Sequence, residues 1–91
     1  MVDIKIYTTT YCPYCVRAKS LLKSKAIPYE EIDVTTDHDL RERMVVDSGR
    51  RTVPQIFIGG RPIGGFEELK ALNETGELDA LVGAAEPEAT S

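Results

Sequence analysis

The sequence predicts a single α/β domain in which a four-stranded mixed sheet is flanked by three helices. Segments that alternate apolar and polar residues are separated by segments with helical spacing, which is typical of β-α-β units. Strands joined through a helix run parallel, whereas the Gly59-Gly60 pair between two short strand segments predicts an antiparallel hairpin. The chain has 91 residues, 42% of them hydrophobic, which suffices for one layered core and no second domain.

Two β-α units make up the first half of the chain. The strand Val2–Tyr7 alternates, and the connection Thr8–Tyr11 leads to a helix. We expect this helix to begin near Pro13, because the N–H that proline lacks has no partner in a first helical turn. Ile27-Pro28 ends the helix, and alternation resumes in the second strand, Tyr29–Val34.

The second helix is predicted between an N-cap region at Thr35–Asp37 and a stop at Ser48-Gly49. The remaining elements are a strand, a turn, an edge strand, a helix and a last short turn: Gln55–Ile58, Gly59-Gly60, Arg61–Ile63, Phe66–Leu72 and Glu77–Val82. Gly76 is expected to end the third helix. We therefore expect a domain of residues 1–82 and a flexible tail of residues 83–91, since the tail is rich in Ala, Glu, Pro, Thr and Ser.

Composition excludes several classes of function. A net charge of −4 argues against nucleic acid as the main partner. No segment approaches the roughly 20 apolar residues of a membrane span, so no membrane partner is expected. Met1-Val2-Asp3 opens directly on a strand, without the basic and apolar parts of an export signal. We therefore expect the reducing cytoplasm, where a cysteine pair is catalytic or metal-binding more often than structural. We also expect a monomer.

The only two cysteines, Cys12 and Cys15, stand where the first strand gives way to the first helix. One helical turn separates them, which brings the two sulfur atoms within bonding reach. A helix N-terminus also favours a thiolate on Cys12 over the thiol. This arrangement predicts thiol–disulfide chemistry. A zinc site within one chain is disfavoured, because His38 is the only histidine and there is no second cysteine pair.

Three motifs, in this order and at these separations, make the chain resemble a dithiol glutaredoxin over residues 2–82. They are Cys12-Pro13-Tyr14-Cys15, Thr52-Val53-Pro54 and Gly64-Gly65-Phe66-Glu67-Glu68. The resemblance, closest to the short bacterial members, implies a thioredoxin-like fold. It also implies glutathione as the reducing co-substrate, with no bound cofactor or metal, and glutathionylated or disulfide-containing proteins as substrates.

The resemblance assigns roles to individual positions. Cys12 matches the nucleophile and Cys15 the cysteine that resolves the intermediate. The other matching positions bind glutathione: Tyr14, Arg41, Thr52, Val53, Pro54, Gly65, Phe66 and Glu67. Among them, Val53 would pair through its backbone with the cysteinyl part, Pro54 would be a cis-proline facing the thiols, and Arg41 would bind the glycyl carboxylate. Gly65, Phe66 and Glu67 would hold the γ-glutamyl carboxylate at a helix start.

The sequence departs from the family pattern at two places. Relatives often carry a lysine three or four residues before the first cysteine, and Thr8–Tyr11 contains no cation. The acidic pair after the two glycines is usually aspartate, and here it is Glu67-Glu68.

Two alternative functions stay open. The first alternative is an iron–sulfur or metal-carrying module. The second is a redoxin reduced by thioredoxin reductase, although such relatives often have a tryptophan after the glycine pair and this chain has none.

Overall fold

The computed structural model describes residues 3–84. The strands are Ile4–Thr8 (β1), Glu30–Asp33 (β2), Gln55–Ile58 (β3) and Arg61–Gly64 (β4). The helices are Pro13–Ser24 (α1), His38–Ser48 (α2), Phe66–Thr75 (α3) and Glu77–Ala84 (α4). None of the helices in this range is long and apolar enough to cross a membrane.

The four strands form one mixed sheet in the order β2-β1-β3-β4. The pair β1 and β2 is parallel, as a helical crossover requires, and β1 with β3 and β3 with β4 are antiparallel. Pro62 lies on the edge strand β4, where its missing N–H interrupts no inner ladder. The predicted mixed sheet with flanking helices is confirmed.

Alternating side chains of β1 place two hydrophobic cores on the two faces of the sheet. The larger core joins β1 and β3 to α1, α3 and α4, and its buried members include Ile6, Leu22 and Leu69. The smaller core joins the opposite face to α2 through Tyr7, Met44 and other residues. The domain thus has three layers, and the carboxyl end of β1 leads directly into the N-terminus of α1.

The segment after Gly76 differs from the expected short turn. Gly76 ends α3 in the left-handed region, at φ 83°, and the chain then forms the eight-residue helix α4. Leu78 is fully buried in the larger core, and Asp79 forms an ion pair of 2.9 Å with Lys25, the C-cap residue of α1. Burial of Leu78 therefore stabilises this helix, which at eight residues would not be stable by itself.

The boundaries of the predicted domain fall near the limits of the described residues. Helix α4 continues to Ala84, so the predicted tail of residues 83–91 begins inside it. The rest of that tail, and the predicted start of the first strand at Val2, lie outside the described residues.

Candidate functional site

Cys12 is the N-cap residue of α1. Its backbone is extended, with φ −150° and ψ 101°, and Pro13 is the first helical residue. A helix N-terminus leaves N–H groups without intrahelical partners, and a side-chain acceptor at the N-cap satisfies one of them. Here that acceptor is sulfur: Cys12 Sγ accepts a hydrogen bond of 3.1 Å from the backbone N–H of Cys15. The donor and the helix dipole both stabilise negative charge on this sulfur.

Cys12 and Cys15 are joined by a disulfide bond, with α-carbons 5.2 Å apart, so the structure is that of the oxidised pair. The two sulfurs differ in access. Cys15 lies in the interior at 1% exposure, whereas Cys12 is partly exposed. An external thiol or disulfide can therefore approach Cys12 but not Cys15.

The loop before β3 lies against the exposed sulfur. The carbonyl oxygen of Val53 is 3.8 Å from Cys12 Sγ, and the Val53–Pro54 bond is cis, as expected. Pro54 is buried, and a Cβ atom on Gly65 would lie only 3.3 Å from the Pro54 carbonyl oxygen. A glycine at position 65 thus lets the start of α3 approach this loop closely.

Glu68 caps the start of α3. Its Oε1 accepts a hydrogen bond of 2.8 Å from the N–H of Gly65, the N-cap residue, which is half of a capping box. This bond holds the pKa of Glu68 below its ordinary value, and the nearby guanidinium of Arg50 contributes in the same direction. Arg50 Nη1 lies 3.4 Å from Glu68 Oε2, which links α3 to the segment that precedes Thr52.

Two aromatic rings border the cysteines on the α3 side. The rings of Tyr14 and Phe66 have centroids 6.4 Å apart, and Tyr14 is 52% exposed. The guanidinium carbon of Arg17 lies 5.3 Å from the centre of the Tyr14 ring, a cation–π distance. Glu67 is exposed in the first turn of α3, next to Phe66.

Arg41 on α2 reaches the same loop. It is partly buried, and its Nη2 donates a hydrogen bond of 3.4 Å to the carbonyl oxygen of Arg51. The next residue, Thr52, is exposed and begins the segment that leads to Cys12 Sγ through Val53. Of the sequence-predicted residues, Val53 thus contacts the Cys12 sulfur directly, and Arg41 is connected to the same loop through Arg51.

Sequence reasoning missed Gln55. This buried residue donates from Nε2 to both the carbonyl oxygen and the hydroxyl of Thr52, at 2.9 and 3.2 Å. Its Oε1 is buried without a hydrogen-bond partner in the described part of the chain. The signal was a lone amide at the start of the otherwise apolar segment Gln55–Ile58.

Thr10 was also missed. Its backbone N–H donates to Thr35 Oγ1 at 2.7 Å, and its hydroxyl donates to Asp33 Oδ2 at 3.2 Å. The hydroxyl and N–H of Thr35 are the main reason that the pKa of Asp33 lies below its usual range. These bonds fasten the loop before Cys12 to the end of β2. Three consecutive threonines gave no sign of which one would do this.

Residues 3–84 contain no group of three or more His, Cys, Asp or Glu side chains arranged to hold a metal ion.

This chain is similar in sequence to known proteins. The family model described as glutaredoxin matches residues 4–63. Glutaredoxin 3 of Escherichia coli is 48% identical over 82 residues, which cover 90% of this chain and 99% of that protein.

Solved structures of glutaredoxins are also similar to this chain. The solution structure of a Brucella melitensis glutaredoxin is 50% identical with a TM-score of 0.80, covering 90% of this chain and 89% of that one. The crystal structure of a buckwheat glutaredoxin–glutathione complex is 29% identical with a TM-score of 0.83, covering 91% and 78%. The four-stranded sheet and its helices thus have the thioredoxin fold of these proteins.

Proposed function

The chain belongs to the glutaredoxin family of thiol–disulfide oxidoreductases, and we propose that it uses glutathione to reduce glutathione mixed disulfides and some protein disulfides. Cys12 is the nucleophile and Cys15 the resolving cysteine. One observation carries the proposal: the sulfur of Cys12 is partly exposed at a helix N-terminus and accepts the N–H of Cys15, whose own sulfur is buried.

The first step is attack by the Cys12 thiolate on the glutathione sulfur of a protein–glutathione mixed disulfide. A new bond forms between Cys12 and glutathione, the old S–S bond breaks, and the protein leaves as a thiolate that takes up a proton. The Cys15 N–H and the helix dipole stabilise the attacking thiolate, which an unperturbed thiol would supply only to a few per cent at neutral pH.

The mixed disulfide on Cys12 can be resolved in two ways. A second glutathione thiolate attacks the bound glutathione, which releases oxidised glutathione and restores the Cys12 thiolate. Alternatively, Cys15 attacks Cys12, releases reduced glutathione and forms the Cys12–Cys15 disulfide. Reduction of a protein disulfide also ends at this internal disulfide, and two glutathione molecules then return it to the dithiol.

The geometry around Cys12 supports a glutathione site between the Val53 loop and α3. The proximity of the Val53 carbonyl to the sulfur supports backbone pairing of Val53 with the cysteinyl part of glutathione, beside Thr52 and Pro54. The N-terminus of α3 at Gly65 supports binding of the γ-glutamyl carboxylate there, next to Glu67.

The remaining contacts lie at the two ends of this site. Tyr14 and Phe66 would border the bound tripeptide on the α3 side. Arg41 retains further guanidinium donors beyond the one that contacts Arg51, and these suit the glycyl carboxylate. No metal or bound cofactor takes part in the proposed reaction, and the proposed setting is a cytoplasmic monomer.

Trapping the intermediate tests the nucleophile and the ligand together. The Cys15→Ser variant, incubated with oxidised glutathione, should gain the mass of one glutathione, and peptide mapping should place it on Cys12. The matched Cys12→Ser variant should gain none, because its remaining sulfur is buried. Modification of Cys15 in that control, or none in either variant, would contradict the assignment.

A further inference from the structure

Two exposed apolar side chains lie next to Cys12 and take no part in the proposed glutathione site. Tyr11, which immediately precedes Cys12, is 95% exposed. Val16, one helical turn after Cys12, is 57% exposed. Isolated apolar residues on a surface are ordinary, but two beside a reactive sulfur border whatever is bonded to that sulfur.

The strand order separates these residues from the glutathione side. In the sheet, β2 and β3 lie on opposite sides of β1, and Cys12 follows β1. Val53, which precedes β3, contacts Cys12 from one side. Thr10 binds Thr35 and Asp33 at the end of β2, so the loop that carries Tyr11 is held on the other side.

Val16 lies on the same side as Tyr11. Two residues of α1 correspond to about 200° around the helix axis, so Val16 points away from Tyr14, which faces α3. Residues three apart are neighbours on a helix, and Lys19 forms an ion pair of 2.9 Å with Glu31 of β2. Val16 is therefore on the β2 side of α1.

The loop next to Tyr11 is held in place, and the charges near it are engaged within the protein. Hydrogen bonds of Thr10 fix the backbone that precedes Tyr11. Lys19 forms an ion pair with Glu31, and the Asp33 carboxylate accepts the Thr10 hydroxyl. The two side chains therefore add exposed apolar area to this side of Cys12, and burial of that area favours an apolar ligand group.

We propose that Tyr11 and Val16 form a recognition surface for the polypeptide half of a mixed disulfide, and that this surface selects substrates with an apolar residue next to the reacting cysteine. The inference depends on the proposed function, because that function brings a substrate sulfur to Cys12 and gives glutathione the Val53 side. The polypeptide then lies over the β2 side, next to Tyr11, which has the highest exposed fraction among the large apolar side chains of residues 3–84. Tyr11 and Val16 act on specificity and take no part in the exchange chemistry.

Three glutathionylated substrates test this surface: a peptide with leucines next to its cysteine, the same peptide with serines there, and the mixed disulfide of glutathione with 2-mercaptoethanol. Tyr11→Ala should raise KM for the leucine peptide by about ten-fold, as expected for loss of an aromatic contact residue. The serine peptide and the small disulfide should be used as by the unchanged protein. Tyr11→Phe should retain the preference for leucine.

Val46→Ala is the matched control, since Val46 is 76% exposed but lies on α2, on the opposite face of the sheet from α1. It should change none of the three KM values. Equal losses on all three substrates in Tyr11→Ala would make Tyr11 a structural residue and overturn the proposal, as would an unchanged KM for the leucine peptide. Failure of the proposed function is distinct, because the unchanged protein would then fail to use even the small disulfide with glutathione.

Discussion

The backbone N–H of Cys15 points at the sulfur of Cys12, at 3.1 Å, while the side chain of Cys15 is buried beneath it. One residue thus contributes twice to the site. In the proposed reaction, its N–H stabilises negative charge on the attacking sulfur, and its own sulfur is within bonding distance to resolve the intermediate. The two cysteines are therefore not interchangeable.

Substitution of each cysteine should show this difference. Cys12→Ser should abolish all exchange, because a hydroxyl does not attack sulfur at neutral pH. Cys15→Ser should keep much of the deglutathionylation activity, since its backbone N–H remains and glutathione resolves the intermediate. It should lose most reduction of protein disulfides. Parallel assays on a glutathionylated peptide and an intramolecular peptide disulfide measure both, and equal loss of the two activities in Cys15→Ser would exclude the monothiol route.

Arg41→Ala should weaken the use of glutathione by about ten-fold or more, because a hydrogen bond to a charged group contributes roughly 1.5–3 kcal/mol. The effect should fall on KM for glutathione, and exchange with a neutral disulfide should barely change. Arg43→Ala is the control, an exposed arginine of the same helix.

The contact of Arg41 with the Arg51 carbonyl allows a competing explanation, in which the arginine only supports the loop. In that case Arg41→Ala would impair both substrate types equally and would also lower the melting temperature. That pair of results would remove Arg41 from the glutathione site.

Thr9 is the position at which a lysine, which relatives often carry before the first cysteine, could be added. Thr8 is fully buried and donates a hydrogen bond of 2.8 Å to Glu31, whereas Thr9 is only partly buried. Thr9→Lys should increase the thiolate fraction of Cys12 and lower KM for glutathione, because the added cation attracts both the thiolate and a carboxylate. The rate of Cys12 alkylation against pH, measured on the reduced protein, reports the first effect.

Ser20→Lys adds the same charge at an exposed position farther along α1 and should change neither quantity. If Thr9→Lys also changed neither, another cation would already serve the site. Arg41 and Arg50 would be the residues to test, and Arg50 already contacts Glu68.

The stabilisation that the Glu68 cap gives to α3 should be lost in acid. The Gly65 hydrogen bond lowers its pKa below the ordinary glutamate value of 4.5, so the ionised form favours the folded state. That stabilisation is fully present above the unfolded-state value and is lost as the pH falls through the folded-state value. Glu68→Gln should therefore reduce the free energy of unfolding more at pH 7 than at pH 3, as measured by urea unfolding of the oxidised protein.

Glu67→Gln is the control for this experiment, because it removes the same charge from the same helical turn without touching the Gly65 bond. Its loss of stability should depend less on pH. Identical pH dependence in the two variants would attribute the effect to the helix dipole alone.

Local signals predicted most of the fold. These signals act within a few residues, and the structure bears them out: Pro13 begins α1, the N-cap of α2 lies in the predicted region Thr35–Asp37, Gly49 and Gly76 end helices, and Gly59-Gly60 forms a turn. Helix α4 could not be predicted in this way. Its stability comes mainly from Leu78, which lies in a core built by distant elements, and the exposed ion pair between Asp79 and Lys25 adds little.

The residues of the site likewise fall into those that the sequence predicted and those that depend on contacts between distant segments. Spacing alone predicted that Cys12 and Cys15 would be within bonding distance, and the family pattern indicated Val53, Pro54 and Gly65. The supporting contacts of Gln55 and Thr10 could not be predicted from the sequence, because they depend on how the loops next to different strands meet. Likewise, the burial of Thr8 at the end of β1 depends on the sheet order, in which β1 lies between β2 and β3.

Dependence on glutathione is tested by an assay that couples the purified protein to glutathione, glutathione reductase and NADPH, with the small mixed disulfide of glutathione and 2-mercaptoethanol as substrate. We expect NADPH consumption that requires both the protein and glutathione, disappears in Cys12→Ser and persists in Cys15→Ser. Replacing glutathione and its reductase by thioredoxin reductase should give no turnover. Turnover with thioredoxin reductase, and none with glutathione, would contradict the proposed dependence of this protein on glutathione.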